Sequence, residues 1–163
     1  MKKYLPRYSD CFVCGKNNHS GLKRRFYVFA PSDEEISDEV YVNIAFPKEY
    51  EGFKGVVHGG VITALIDEAM GWSSTIKTAL MYVTYDLNIT FLKPVPVGQE
   101  LTFKAWMTED NKKVTRNEGV VMDADGDVLV KASGRFFALS EEDQKEVIDY
   151  LTFDEDTLDL FIS

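Results

Sequence analysis

Apolar and polar residues alternate with period two along six stretches of the chain, and one stretch between them follows a different period. Lys23 to Ala30 (KRRFYVFA) and Ser37 to Phe46 (SDEVYVNIAF) are rich in aromatic and β-branched residues and predict strands. Ala30-Pro31-Ser32-Asp33 is the turn signal between them. After a loop over 47–57 with Gly52 and Gly55, His58-Gly59-Gly60 opens VITALIDEAMGWSSTI, where the period becomes helical. Val61, Leu65, Ala69 and Trp72 share one face, and Ile62, Ile66 and Met70 lie beside it. A helix apolar around most of its circumference is buried centrally, not laid on a surface.

Four long strand-like segments follow: Met81 to Leu92, Glu100 to Glu109, Lys113 to Asp123 and Val128 to Leu139. In the second, Leu101, Phe103, Ala105 and Met107 alternate with Thr102, Lys104 and Trp106, the pattern of a half-buried strand. Pro94, Pro96 and Gly98, then Asn111-Lys112, then Asp123-Ala124-Asp125-Gly126 mark the turns. Long strands joined by short turns imply an antiparallel meander. Ser140-Glu141-Glu142-Asp143 has the shape of a capping box and predicts a short helix to about Tyr150. The expected architecture is α+β: about six strands, mostly antiparallel, wrapped around one central helix, plus a short C-terminal helix. The expected organisation is an irregular leader over 1–22, a main domain over 23–139 and an acidic helical extension over 140–163.

Composition narrows the function. With 163 residues and 45% hydrophobic content, the chain has enough length for one full core. Lys+Arg is 18 against Asp+Glu 27, a net charge of -9, which argues against a nucleic-acid binder that must neutralise phosphates. No apolar run follows the N-terminal lysines and no stretch approaches the roughly 18 apolar residues of a membrane span, so a cytoplasmic protein without membrane partners is expected. Cys11 and Cys14 have metal-ligand spacing and His19 is a candidate third ligand. No fourth ligand is apparent, so no metal is expected and the two thiols read as packed beneath the leader.

The start of the central helix carries the chemistry. Gly59 and Gly60 stand where the first free N–H groups point outward, at the end of the helix dipole that favours negative charge. Such donors stabilise an oxyanion, or the glycines serve only a tight turn. Asp67 and Glu68 interrupt the apolar helix, and a carboxylate there is costly unless paired or used. A raised pKa would suit a general base. The eight residues from Gly59 to Asp67 span about 12 Å of helix. Both groups must lie within about 3 Å of one reacting carbonyl, so if they act together they come from two copies of the chain.

VVHGGVITALIDEAMG followed by YDLNITFLKPVPVGQEL resembles the hotdog-fold acyl-CoA thioesterases of the PaaI-like branch, over roughly residues 10–139. The resemblance implies a hotdog fold and hydrolysis of an acyl-CoA thioester to free acid and coenzyme A, without a cofactor, in a homodimer or homotetramer. It implies that Asp67, nine positions after His58, is base or nucleophile, and that the Gly59 N–H binds the thioester carbonyl. His58 supports the turn and completes the catalytic set. Gly60, Glu68 and Asn88 are the substrate-binding candidates. The opening CFVCGKNNHSGL is similar to a leader on one subset of these proteins. One departure stands out: Gly52, Phe53, Lys54 and Gly55 precede His58 where some relatives carry an amide, leaving Asn88 or Thr90 as candidate substitutes.

Two other readings stay open. A hydroxyacyl-thioester dehydratase needs a catalytic His with an acid, and the chain has only His19 and His58. A non-catalytic acyl-CoA sensor needs no base and would use the extension for protein contact. Phe46, Tyr50, Phe53, Trp72, Tyr82 and Tyr85 are candidates for an acyl pocket or for core filling. Lys93, Lys112, Lys113, Arg116 and Arg135 are candidates for the anionic end of coenzyme A.

Overall fold

The computed structural model describes residues 1–32 and 35–161; Asp33 of the expected turn and the last two residues of the extension lie outside them. Along the chain come β1 (Lys2–Tyr4), β2 (Arg7–Tyr8), β3 (Tyr27–Phe29), β4 (Glu39–Ala45), β5 (Glu51–Phe53) and β6 (Val56–Val57). Then follow α1 (Gly59–Thr78), β7 (Tyr82–Phe91), β8 (Glu100–Asp110), β9 (Val114–Met122), β10 (Val128–Ala138), α2 (Glu141–Asp149) and β11 (Leu151–Thr152). One antiparallel sheet has the order β1-β3-β4-β8-β9-β10-β7, wrapped around α1 in the hotdog arrangement.

The helix is buried because the sheet presents a matching apolar face. Leu65, Ile66, Ala69 and Met70 have no exposed surface, and neither do Val40, Leu101, Phe103, Ala105 and Val121 of the sheet. Gly119 sets how closely the two approach: a Cβ there would stand 2.7 Å from Ile66 Cδ1. The polar C-terminal half of the helix is satisfied internally. Asn117 Nδ2 donates to the Met70 carbonyl at 2.9 Å and to Ser74 Oγ at 2.7 Å, and Ser74 bonds Thr115 at 2.7 Å. Buried polar groups need such partners.

Three sequence expectations are corrected. The four segments after the helix do not form one meander: β8, β9 and β10 do, but β7 crosses over to pair with β10 and β8 pairs with β4. Among the described residues the main sheet has seven strands, not six, because the leader is not wholly irregular: β1 adds an edge strand beside β3. The loop before the helix also contains a small hairpin of β5 and β6. The leader and the extension meet, since β2 pairs with β11. Arg7 bonds Asp154, and Arg25 bonds Asp156 through both terminal guanidinium nitrogens. Ser140 caps α2 by accepting from the Asp143 N–H at 3.2 Å, and Gln144 of α2 bonds both backbone groups of Met81. Among the described residues no helix is long and apolar enough to cross a membrane.

Candidate active site

The helix start is built by His58. It is the N-cap residue of α1, and its Nδ1 accepts the Gly60 N–H at 2.9 Å. This commits Gly60 to the turn and fixes the imidazole as an acceptor at Nδ1. Gly59 is the first residue of α1, so its N–H has no acceptor within the helix. It opens into a groove walled by Phe53, Val57, Phe91, Leu92 and Pro94, with Lys93 also lining it. The ring of Phe91 lies so close to Gly59 that an added Cβ would meet it at 3.1 Å.

Asp67 lies two turns further along α1, and its Oδ1 accepts from Thr84 Oγ1 at 2.8 Å. Burial raises its pKa above the ordinary carboxylate value, and the Thr84 hydroxyl partly offsets the rise. Sequence reasoning missed Thr84 because strand parity is broken here. The β7–β10 register pairs Arg135 with Asp86 but Phe136 with Thr84, leaving Tyr85 as the extra residue of a β-bulge. Beyond the bulge, Leu87 and Ile89 pack on the core. Asn88, between them, therefore points to the outer face, away from α1. The structure does not bring Asn88 to Asp67 or to Gly59 within one chain.

Glu68, adjacent in sequence, turns to the leader. Its Oε2 accepts from Cys11 Sγ at 3.1 Å. Burial raises its pKa, and the neighbouring Cys11 sulfur adds to the rise. Cys14 bonding to the Cys11 sulfur, against a desolvation cost, brings Cys11 down to about 5. The same bond, with burial, pushes Cys14 up. His19 is exposed and does not belong to this cluster. Asp67, Glu68, Trp72, Tyr82, Phe136 and Cys11 line one cavity of about 230 Å³.

The other aromatic candidates divide. Phe46 is fully buried, with Tyr50 packed edge-on against it. Phe53 is exposed at the Gly59 groove. Tyr85 packs on Phe137, under the Arg135 guanidinium. Among the basic candidates, Lys93 pairs with Asp127 at 2.8 Å, Arg116 with Glu109 at 3.0 Å, and Arg135 with Asp86. Lys112 occupies the β8–β9 turn at φ 65°.

Asp67 and Gly59 thus sit beneath the two ends of β7, Asp67 under Thr84 and Gly59 under Phe91. β7 is ten residues long and, among the described residues, is the last strand of its sheet, with one edge unpaired. Val83, Tyr85 and Phe91 on it are each about half exposed.

Comparison with known proteins agrees with this architecture. The family model of the thioesterase superfamily matches residues 54–130, from the loop before α1 to the start of β10. A Saccharolobus solfataricus protein named as a candidate esterase, SSO2140, is 31% identical over 105 residues, covering 60% of this chain and 70% of that protein. The crystal structure of a thioesterase superfamily protein superposes with a TM-score of 0.69 at 22% identity, over 79% of this chain and 60% of that one. This chain therefore spans less than two thirds of that protein. An acyl-CoA hydrolase from Staphylococcus aureus, solved with butyryl coenzyme A and coenzyme A, superposes with a TM-score of 0.60 at 21% identity, over 64% of this chain and 65% of that one. By sequence and by fold, the chain belongs to the thioesterase superfamily.

Proposed function

We propose that this protein hydrolyses acyl-CoA thioesters at a site shared by two copies of the chain. The observation that carries the reading is the placement of Asp67 and Gly59 beneath opposite ends of one edge strand whose outer edge is open. Antiparallel pairing of β7 with the β7 of a second copy exchanges those ends, so that Asp67 of each copy approaches Gly59 of the other. A two-fold axis generates two identical sites. Pairing also covers the free strand edge and its exposed apolar side chains.

The thioester carbonyl oxygen rests on the Gly59 N–H, where the helix dipole stabilises the developing negative charge. Asp67 of the other copy takes a proton from water as the water oxygen attacks the carbonyl carbon. Collapse of the tetrahedral intermediate breaks the C–S bond and releases the coenzyme A thiolate. Direct attack by the Asp67 carboxylate, giving a mixed anhydride that water then cleaves, uses the same groups. The thiolate needs little protonation help, since a Cys-like thiol has a pKa of about 8.5. In this reading the groove beside Gly59 holds the thioester arm, and the cavity with Trp72, Tyr82 and Phe136 receives the acyl group. The Staphylococcus aureus hydrolase, solved with butyryl coenzyme A on the same fold, supports that ligand class.

The test is release of free thiol from short, medium and aromatic acyl-CoAs by the wild type and by Asp67→Asn. Turnover should fall by about 100-fold or more in the folded variant, the range a positioned acid–base group supplies. Absence of turnover on every substrate, with tight acyl-CoA binding retained by both proteins, would replace the enzyme with a sensor.

A further inference from the structure

The leader carries a second constellation that the hydrolytic mechanism does not use. Cys11 and Cys14 lie in a tight turn closed by the Gly15 N–H, which donates to the Cys11 carbonyl at 3.0 Å. A Cβ at Gly15 would fall 2.5 Å from the Ser9 carbonyl oxygen and 2.6 Å from Cys11 backbone atoms, so only glycine fits. The Val13 N–H points at Cys11 Sγ from 3.2 Å. An N–H aimed at sulfur supports a thiolate, the metal-binding form of cysteine. Leu22 and Arg24 donate to the carbonyls of Phe12 and Val13 at 2.8 Å, holding the turn against the rest of the leader.

Glu68 reaches this turn from the central helix. The two sulfurs and a carboxylate oxygen all lie within 4.8 Å of one another. Tetrahedral zinc, with bonds of about 2.3 Å to sulfur and 2.0–2.2 Å to oxygen, holds such donors about 3.5–3.8 Å apart. The trio therefore closes on one ion with shifts of about 1 Å. Among the described residues lining the cavity beside it, none is Lys, Arg or His. Three groups able to carry negative charge thus converge with no side-chain cation among those lining residues.

We propose that Cys11, Cys14 and Glu68 form a site for one thiophilic divalent ion of the zinc class, which ties the leader to α1. The third donor is the helical Glu68, not the His19 that sequence spacing offered. Binding releases the thiol protons to solvent and involves no redox step. Three protein donors leave a tetrahedral ion one further position, for water or a small ligand. The site uses neither Asp67 nor Gly59, so it stands or falls independently of the hydrolytic reading.

The test uses the reduced full-length chain, stripped with a chelator and titrated with Zn²⁺ against a chromogenic competitor, and separately with Co²⁺. One ion per chain is expected, and Co²⁺ should give a thiolate-to-cobalt charge-transfer band in the near ultraviolet. Glu68→Gln should weaken Zn²⁺ binding on the order of 100-fold, Cys14→Ser should abolish the band, and His19→Ala should change neither. The wild-type cobalt spectrum needs no variant to fold: if the reduced protein shows no such band and retains no Zn²⁺, the proposal is overturned. Unchanged affinity in Glu68→Gln, or loss of binding in His19→Ala, would overturn the assignment of ligands.

Discussion

Thr84 gives Asp67 its orientation. A helical carboxylate has several rotamers, and the Thr84 hydroxyl at 2.8 Å selects one. Hydrogen bonds to charged groups are worth about 1.5–3 kcal/mol, so Thr84→Val should lower turnover by about 10- to 100-fold. Thr84→Ser should restore most of it, because the hydroxyl and not the methyl makes the bond. The comparison is of kcat at saturating acyl-CoA, with KM as the control. A purely structural role for Thr84 would leave the Ser variant as impaired as the Val variant. Asp67 itself was legible in the sequence, as an acid in an apolar helix at a fixed distance from His58. Thr84 was not, because nothing in the period-two pattern of β7 announces an extra residue at Tyr85. Asn88 lies on the outer face of the sheet, and strand alternation alone does not say which face meets the helix.

At the scale of elements, the fold depends on the contact between α1 and the middle of the sheet. Leu65 is fully buried there, and Leu65→Ala should cost about 2–5 kcal/mol, read as a loss in chemical denaturation midpoint at unchanged slope. Gly119→Ala tests the same contact from the opposite direction. The new methyl group meets Ile66 Cδ1 at 2.7 Å and the Lys104 carbonyl oxygen at 3.2 Å, and overpacking of this kind costs about 1–3 kcal/mol. A stability equal to wild type would show that the helix has room to withdraw. The helix and its six flanking strands were legible because burial imposes periodicity, and an element long enough to show a period declares itself. The short pieces β1, β2, β5, β6 and β11 were not, because runs of two or three residues carry no period and are held in place by their partners; β3 is as short, but it lies within the alternating stretch 23–30.

The whole molecule adds two expectations. In the two-copy reading, chains defective at opposite halves of the site complement each other. Asp67→Asn removes the base, and Gly59→Val puts bulk against the Phe91 ring that stands 3.1 Å from an added Cβ. A mixed dimer has one site with both halves intact. Unfolding and refolding an equal mixture of the two inactive chains should then recover about a quarter of wild-type activity, since half the dimers are mixed and each carries one good site. No recovery, with dimers confirmed by sedimentation, would place both groups in a single chain's site. The second expectation concerns the docking of leader and extension. Asp156 is held below the usual carboxylate range chiefly by Arg25, and Asp154 by Arg7 and Lys16 despite partial desolvation. Depressed folded-state values mean that this contribution is complete above the unfolded carboxylate value and fades as the pH falls through the folded ones. Hydrogen exchange at the β2–β11 pairing should therefore accelerate relative to the central sheet below about pH 4. Uniform acceleration across both would show that leader and body unfold together.

The sequence by itself determined the α+β layout, the central helix, the β8–β9–β10 part of the meander and the acidic residue within that helix. Each of these is written in local periodicity or in spacing along one element, and hydrophobic burial enforces such patterns residue by residue. Only the tertiary structure decided that Thr84 meets Asp67, that Glu68 turns to Cys11, and that Asp67 and Gly59 lie beneath opposite ends of an edge strand. Those are contacts between groups 17 to 57 positions apart. They depend on a bulge, a turn and a sheet order, and no local pattern encodes a distance that the folded chain closes through space.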